Sequence, residues 1–426
     1  MKRFALCSSL GLLLLVFCSA AFAQKFVPNY DEAKVPKYRL PNPFVLSDGS
    51  CIETVEQWQA RGRKAVLDLF KTEVYGQVPG VDPGKIKYKE MSCVKDALGG
   101  KATRKEIRIF FDAPKNTLYA DLLLYIPNAA EKPVPAFLGL NFAGNHTVTS
   151  EKDIIDPGWI EGSRYSKDKR VDIRGSKAER WQADMVISRG YALATLYYEQ
   201  IAPDSRKGWQ SRAWTTLASQ YPDAAKADNP SVISVWAWGL SRALDCLGKQ
   251  KEINPRKVTV IGHSRLGKTA LWAGANDTRF AAVISNNSGC GGAALSRREF
   301  GETVKAINDA APHWFCENFK KYNTNVNAIP VDQHELIGLI APRPIYVASA
   351  TEDEWADPKG EFLAALKADP VYRLCRTTGF GTVTRWEPPH DKSVGDIIRY
   401  HLRTGPHAVT AFDWEQYLNF ADQYVK

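Results

Sequence analysis

The sequence predicts an α/β fold in which helices cover both faces of a mostly parallel sheet. Apolar, strand-like segments alternate along the chain with segments of helical pattern, and this alternation is typical of parallel sheets. Residues 257–268 add a strand, a sharp glycine-bounded turn and a helix in direct succession. The predicted strands are 105–112, 118–126, 135–141, 191–197, 258–261, 281–285 and 344–350, and the clearest helix is 236–247.

The first 23 residues have the pattern of a secretory signal peptide. Two basic residues precede an apolar run at residues 10–17, and Ala21-Phe22-Ala23 is a small-x-small cleavage site. The apolar run is too short to span a bilayer, and no later segment predicts a membrane span. We therefore predict cleavage after Ala23 and a secreted or periplasmic protein, with a lipid attached to Cys18 as the alternative.

Residues 24–426 are predicted to form a single catalytic domain. The chain of 426 residues is 44% hydrophobic and 24% charged, which suits a globular enzyme with a large core. Residues 24 to about 100 precede the first predicted strand and are expected to wrap around this core as an N-terminal extension. The polar stretch 150–185 is expected to be an insertion over one edge of the sheet.

The charge of the chain indicates which partners to expect, and its cysteines indicate whether to expect a zinc site or disulfides. The net charge of +9 comes without a long Lys/Arg run or an RNA-binding aromatic motif, so nucleic acid is not the expected partner, whereas a basic surface favours an acidic polymer or a carboxylate. Six cysteines follow the predicted signal peptide, and none has the CxxC spacing of a zinc site. Cys290 and Cys316 are the first candidates for a disulfide, with free buried thiols as the alternative.

The turn at Gly262-His263-Ser264-Arg265-Leu266-Gly267 is the most informative feature of the chain. A strand that turns sharply into a helix lifts the serine Oγ out of the sheet and leaves the next backbone N–H free to face an oxyanion. Glycine suits such a turn because a Cβ would collide with neighbouring backbone. The sequence thus predicts that Ser264 is a nucleophile.

The partners of such a serine are expected later in the chain, in the order acid and then histidine. The loop after strand 344–350 holds several carboxylates, and histidines follow it near the C-terminus. His263 adjoins the serine, but neighbouring side chains on such a turn diverge. Three of the seven histidines follow the acidic loop, namely His390, His401 and His407. Of these, His407 follows a Gly-Pro turn, which suits a base carried on a loop above the serine.

Four stretches of the chain together resemble the glucuronoyl esterases, carbohydrate esterases that act on 4-O-methyl-glucuronate esters in glucuronoxylan. The stretches are 141–147 (NFAGNHT), 262–268 (GHSRLGK), 352–358 (EDEWADP) and 403–407 (RTGPH). The resemblance covers most of the chain from about residue 100 onward, and the serine motif with its Arg and Lys is its most specific part. It implies an α/β-hydrolase fold.

The resemblance also implies roles for individual residues. Ser264 would be the nucleophile, His407 the base and Arg265 a cationic stabiliser of the oxyanion. A second group would contact the hydroxyls of the uronate, namely Lys268, Glu302 and Trp355. A permanent charge at position 265 suits a developing alkoxide, and Lys and Glu side chains can hydrogen-bond sugar hydroxyls.

One position departs from the family pattern. Many members carry the acid of the triad as Glu just before Ser-Gly, in the loop after the strand that follows the nucleophile, whereas this chain has Asn287 before Ser288-Gly289. The acid is therefore expected in the loop after strand 344–350. Asp353 is favoured by its position just past the strand end, and Glu352 is its rival. Its role would be to hold one tautomer of His407.

These observations predict a secreted serine esterase that cleaves uronate esters of glucuronoxylan, including lignin–carbohydrate esters. An acetyl-xylan esterase is the nearest alternative, although it has no obvious use for Arg265 and Lys268. A carbohydrate-binding protein on a degenerate hydrolase scaffold is the alternative from another class, suggested by Asn287. We expect a monomer that requires neither metal nor organic cofactor, does not bind nucleic acid and does not span a membrane.

Overall fold

A ten-stranded sheet runs through the part of the chain that the computed structural model describes, residues 26–164 and 173–426. The predicted signal peptide lies outside these residues, as do residues 165–172 of the predicted insertion. The strands are β1 (Lys87–Ala97), β2 (Ala102–Phe110), β3 (Tyr119–Pro127), β4 (Val134–Asn141), β5 (Ala192–Tyr197), β6 (Ile253–His263), β7 (Ala282–Asn286), β8 (Ile345–Ala350), β9 (Ser393–Gly395) and β10 (Ile398–Arg403).

The centre of the sheet is parallel and its two edges are antiparallel. The spatial order is β1-β2-β3-β5-β4-β6-β7-β8-β10-β9. The six strands from β5 to β10 in this order are parallel to one another, and β1 to β3 on one side and β9 on the other are antiparallel to their neighbours. The loops after β6, β8 and β10 therefore meet at the carboxyl edge of the parallel part.

Helices cover both faces of this sheet, as predicted. The α-helices of the described residues are α1 (Val55–Gln57), α2 (Arg63–Glu73), α3 (Ala178–Trp181), α4 (Ala183–Ser188), α5 (Tyr198–Ile201), α6 (Ala213–Leu217), α7 (Val232–Leu247), α8 (Arg265–Asn276), α9 (Val304–Ala310), α10 (Gln333–Gly338), α11 (Pro358–Leu374) and α12 (Ala411–Tyr424). The larger core packs α7, α8, α10 and α11 on one face, and the smaller core packs α4 and α12 on the other. Strand β3 supplies Leu122 and Leu124 to the first core and Leu123 and Tyr125 to the second, as the alternation of side chains along a strand requires.

The seven predicted strands are all present, with ends that differ by a few residues. Three further strands were not predicted from the sequence. Strand β1 lies within the predicted N-terminal extension and is mostly exposed. Its sequence is polar and lacks the apolar alternation that would predict a strand. Strand β9 has only three residues. Strand β10 is mostly buried, but it carries His401 and Arg403, whose polar side chains hide its core position from a hydrophobicity pattern.

The expected disulfide between Cys290 and Cys316 is not formed. All six cysteines of the described residues are free thiols. Cys316 faces the end of α2, where its Sγ donates to the carbonyl of Thr72 and its backbone N–H donates to Val74. Burial raises the pKa of both the Cys290 and the Cys316 thiol, so neither is a ready nucleophile. Within the described residues, none of the helices is long and apolar enough to cross a membrane.

Candidate active site

Ser264 sits at the sharp junction between β6 and α8. Its backbone has φ 57° and ψ −131°, a strained conformation for a residue with a Cβ. The strand and the helix approach so closely that a Cβ on Gly262 would lie 1.9 Å from the carbonyl oxygen of Leu266. The glycine at 262 is therefore a steric requirement of the junction. Ser264 itself stays partly exposed, and Arg265 opens the helix behind it.

His407 and Asp353 come together from two different loops. Asp353 follows β8 and His407 follows β10, and the His407 Nδ1 lies 2.6 Å from the Asp353 Oδ2. The Asp353 side chain is only 6% exposed, whereas that of His407 is 41% exposed. The contact fixes Nδ1 toward the carboxylate and leaves Nε2 directed away from it. Because parallel β8 and β10 are neighbours, the sheet alone brings these two loops side by side.

His263 lies beneath His407. Its ring centroid is 4.3 Å from that of His407, and its Nδ1 lies 2.6 Å from the Asn286 Oδ1. Burial, together with the positive charge of nearby Arg180, lowers the pKa of His263 well below its ordinary value. His263 is therefore neutral, and its ring packs against that of His407. Because His263 directly precedes Ser264, this contact places His407 next to the serine turn.

The other candidate bases, His401 and His390, make contacts elsewhere in the fold. His401 is fully buried in β10, where its Nε2 lies 2.9 Å from the Asp413 Oδ1 and its Nδ1 lies 3.0 Å from the hydroxyl of Tyr346. Both nitrogens of His401 are thus engaged in the core. His390 forms a β-bridge with Leu402 of β10. Glu352, the rival acid, binds the carbonyl of Gly405 through its backbone N–H.

Asn287 occupies the place where the resembled family carries Glu, and it donates to the acid. Its Nδ2 lies 2.8 Å from the Asp353 Oδ2, the same oxygen that faces His407. Asn287 has φ 47°, the left-handed conformation that Asn tolerates better than most residues. The amide therefore steadies the Asp353 carboxylate without adding a second negative charge beside it.

A buried carboxylate that the sequence prediction missed pairs with Arg265. The Arg265 guanidinium lies 3.3 Å from Asp204, and its carbon lies 5.1 Å from the ring centroid of Trp314. Asp204 also accepts from Trp314 at 2.8 Å and contacts the His313 Nε2 at 2.9 Å. Burial disfavours the charge of Asp204, but His313 and Arg265 outweigh it and hold the pKa of this carboxyl well below its ordinary value. Asp204 follows α5, the one-turn helix that continues directly from β5, and this place near the carboxyl end of a strand was the available sequence signal.

The predicted uronate contacts form a second charged cluster beside Ser264. Lys268 is buried in α8 and donates to the carbonyl oxygens of Ser288 at 2.5 Å and Cys290 at 2.6 Å. Its Nζ lies 3.7 Å from the Glu302 Oε2. The Glu302 N–H donates to the carbonyl of Trp355 at 3.0 Å, and Trp355 is 40% exposed. Burial raises the pKa of the Glu302 carboxyl, with Lys268 acting in the opposite direction.

The geometry suits acyl transfer at a serine. An ordered carboxylate–imidazole pair and a strained serine meet at one edge of the sheet, next to a guanidinium and a buried ammonium–carboxylate pair. No cluster of three or more His, Cys, Asp or Glu side chains within the described ranges is arranged to hold a metal ion.

Comparison with known proteins connects this site to a family. A family model described as "Glucuronyl esterase, fungi" matches residues 178–375. The carbohydrate esterase MZ0003, from an unknown prokaryotic organism, is 46% identical over 95% of this chain and 94% of its own length. The 4-O-methyl-glucuronoyl methylesterase 1 of Wolfiporia cocos (strain MD-104) is 36% identical over 81% of this chain and 73% of its own.

Solved structures agree. A glucuronoyl esterase from Solibacter usitatus is 46% identical, with a TM-score of 0.85 over 93% of this chain and 100% of that one. A promiscuous CE15 esterase from a marine bacterial metagenome is 45% identical, with a TM-score of 0.84 and the same coverage. The predicted α/β-hydrolase fold is confirmed. The chain belongs to the glucuronoyl esterase family of carbohydrate esterases, and it is a carboxylic ester hydrolase.

Proposed function

We propose that this enzyme hydrolyses esters of (4-O-methyl-)glucuronate in glucuronoxylan, including the esters that join xylan to lignin alcohols. The observation that carries the proposal is the contact between His407 and Asp353 beside the strained Ser264. The pair of buried Lys268 and partly exposed Glu302 supplies donors and acceptors for sugar hydroxyls at the same place. The relatives named 4-O-methyl-glucuronoyl methylesterases support the same substrate class.

In the first half of the reaction, the Ser264 Oγ attacks the ester carbonyl while His407 takes its proton. Asp353, held by Asn287, keeps Nδ1 protonated so that Nε2 is the accepting nitrogen, and it stabilises the imidazolium that forms. The oxyanion develops beside the Arg265 backbone N–H at the helix start and the Arg265 guanidinium. His407 then protonates the departing alcohol, which leaves a uronoyl ester on Ser264.

In the second half, water replaces the alcohol. His407 removes a proton from the water as it attacks the uronoyl ester, and the same oxyanion site holds the second tetrahedral intermediate. The C–O bond to Ser264 breaks, Ser264 regains its proton from His407, and the uronate leaves as the free acid. Lys268, Glu302 and Trp355 hold the sugar ring by its hydroxyls throughout.

The test is the activity of the purified mature protein and of Ser264→Ala on benzyl glucuronate, with acetylated xylan as the second substrate. We expect the wild-type protein to cleave the uronate ester and the variant to lose at least about 10³-fold in kcat, because removal of a nucleophile leaves only the binding and oxyanion contributions. Ser219→Ala, the same substitution at an exposed serine, is the control and should match the wild type.

The alternatives give different results in the same assay. Release of acetate without cleavage of benzyl glucuronate would move the assignment to an acetyl-xylan esterase. A similar solved structure is that of a CE15 esterase described as promiscuous, so a second kind of ester is a necessary arm of the experiment. Folded protein that cleaves neither substrate would support the carbohydrate-binding alternative.

We also propose that the enzyme is exported after removal of residues 1–23 and acts as a monomer. The basic start, the apolar run and the Ala-Phe-Ala site support export. Amino-terminal sequencing of protein recovered outside the cytoplasm should begin at Gln24, and a retained Met1 would contradict the proposal. Light scattering of the mature protein would give the oligomeric state.

A further inference from the structure

The first described residues lie across the two loops that carry Glu302 and Trp355, two of the predicted uronate contacts. We call residues 26–34 the N-terminal strap. The carbonyl of Asn29 accepts from the N–H of Gly301 at 2.8 Å, next to Glu302. Glu32 accepts from Arg298 at 2.5 Å and from Lys359 at 2.7 Å. The strap therefore joins the loop before α9 to the start of α11.

The two loops beneath the strap are themselves in close contact. Gly301 has φ 62°, and a Cβ there would lie 2.5 Å from the carbonyl oxygen of Glu354 and 2.6 Å from that of Trp355. The Glu302 N–H donates to the Trp355 carbonyl. Strap, Glu302 and Trp355 thus belong to one packed unit, and side chains of the strap hold fixed positions relative to the uronate contacts.

The strap places aromatic side chains at the rim of this unit. Phe26 meets Trp355 edge to face with ring centroids 6.0 Å apart, and each is 40% exposed. Tyr30 is 43% exposed and contacts Phe300, again at 6.0 Å. Of the four large aromatic side chains that stand exposed on the described surface, three lie here. We call Phe26, Tyr30 and Trp355 the aromatic patch.

Exposed aromatic rings gathered beside a binding site indicate a ligand. Rings left in water forgo the stabilisation that burial of apolar surface gives, and clustered exposed rings mark binding surfaces more often than isolated ones. Aromatic faces also suit pyranose rings, whose axial C–H groups form an apolar face. The patch therefore fits a sugar that lies next to the one in the active site.

The charges around the patch favour a neutral sugar over a second uronate. Burial, together with the negative charges of Glu354 and Asp353, raises the pKa of the Tyr30 hydroxyl, so a carboxylate approaching Tyr30 would meet like charge. The basic groups of the strap's anchor, Arg298 and Lys359, are already paired with Glu32. A xylose unit carries no charge and meets no such repulsion.

We propose that the aromatic patch is a subsite for the xylose units to which the uronate is attached, so that the N-terminal strap helps to recognise the polysaccharide. The inference rests on the proposed function. The alcohol of the ester lies beyond the carbonyl, where His407 must protonate it, whereas the xylan chain is joined to the sugar ring. A surface that continues from Trp355, a predicted contact of the ring hydroxyls, lies on the sugar side.

The experiment compares two benzyl esters, one of glucuronic acid alone and one of 4-O-methylglucuronic acid linked to xylotriose. Phe26→Leu and the double variant Phe26→Leu/Tyr30→Leu remove the rings but keep apolar side chains of similar size. We expect kcat/KM on the xylotriose ester to fall about five- to thirty-fold more than on benzyl glucuronate, mainly through KM, because a ring contact is lost only where xylose is present. Val27→Ala, at the 79% exposed neighbour, is the matched control.

Other results would overturn the proposal. Equal losses on the two substrates would mean that the patch supports the fold or the uronate pocket, and no loss on either would remove the subsite. If the loss of kcat/KM in the variants instead differed between methyl and benzyl esters of the same acid, the patch would be assigned to the leaving alcohol. Calorimetric titration of the free xylotriose-linked acid into Ser264→Ala, with and without Phe26→Leu, needs no turnover and separates this proposal from the proposed activity.

Discussion

Asp204 is a buried carboxylate that contacts the guanidinium of Arg265. It is 1% exposed and touches Arg265, His313 and Trp314 at once. A guanidinium that stabilises an oxyanion must be held in place before the charge develops, since reorganisation during the reaction costs energy. The ion pair with Asp204 holds the Arg265 guanidinium in place, and the guanidinium also packs over the ring of Trp314.

We predict that Asp204→Asn lowers kcat about 10- to 100-fold with a smaller change in KM, because the guanidinium is then less well ordered where the oxyanion forms. Steady-state kinetics on benzyl glucuronate would check this. Removing one partner of a buried ion pair costs about 3–5 kcal/mol, so the melting temperature should fall as well.

A double-mutant cycle with Arg265→Ala separates catalysis from folding. If Asp204 acts through Arg265, Asp204→Asn should lower kcat little further in the Arg265→Ala background. Multiplicative losses in kcat would instead show that Asp204 contributes to activity independently of Arg265.

At the scale of secondary-structure elements, α11 supports the loop that follows β7. Glu361 of this helix is fully buried, and its Oε1 accepts the N–H groups of Ser288 at 2.8 Å and Gly289 at 2.9 Å. Its Oε2 accepts from the Ser349 hydroxyl at 2.5 Å. The same loop presents Asn287 to Asp353 and the Ser288 carbonyl to Lys268. One buried carboxylate thus holds the loop that serves both charged clusters of the site.

This carboxylate makes stability depend on pH. Burial raises the pKa of Glu361 from 4.5 to about 7, against the opposing hydrogen bonds. The folded protein therefore keeps this proton to higher pH than the unfolded chain, and the resulting stabilisation is complete below about pH 4.5 and lost as the pH rises through 7. The size is on the order of 3 kcal/mol.

We predict that Glu361→Gln abolishes this component, because Gln can accept the same N–H groups but does not titrate. The stability of the wild type relative to the variant, from denaturant unfolding, should decline between pH 4.5 and 7.5. Glu415→Gln, at an exposed position of α12, should give a curve parallel to that of the wild type. Parallel curves for Glu361→Gln would show that Glu361 keeps the same ionisation in the folded and unfolded states.

For the whole molecule, the free cysteines predict stability without covalent cross-links. Cys51 and Cys93 are exposed, Cys375 is half-buried, and the other three described thiols are buried. A thiol reagent should therefore label Cys51 and Cys93 quickly in the native mature protein and all six cysteines after denaturation without reductant. Addition of reductant should leave the melting temperature unchanged. Fewer than six labelled thiols in the denatured, unreduced protein would reveal a disulfide.

Much of the fold followed from local pattern. Apolar runs between helical segments located seven strands, because buried parallel strands are apolar on both faces. The pattern did not locate β1, which is exposed, or β10, whose His401 and Arg403 are buried as partners of Asp413. A buried ion-paired residue looks like a surface residue until its partner is known.

The site divides in the same way. The sequence by itself determined the strained serine turn, because Gly262, Ser264 and Arg265 are adjacent and their geometry is local. It also predicted the chain order of the proposed acid and base, because the acidic loop follows a predicted strand and histidines follow that loop. The tertiary structure was needed to show that Asp353, rather than Glu352, contacts His407. It was also needed to show that Asn287 donates to Asp353 and that Arg265 pairs with Asp204. These contacts join residues that are far apart in the chain. Their distances are set by how the elements pack, and a local sequence pattern cannot predict them.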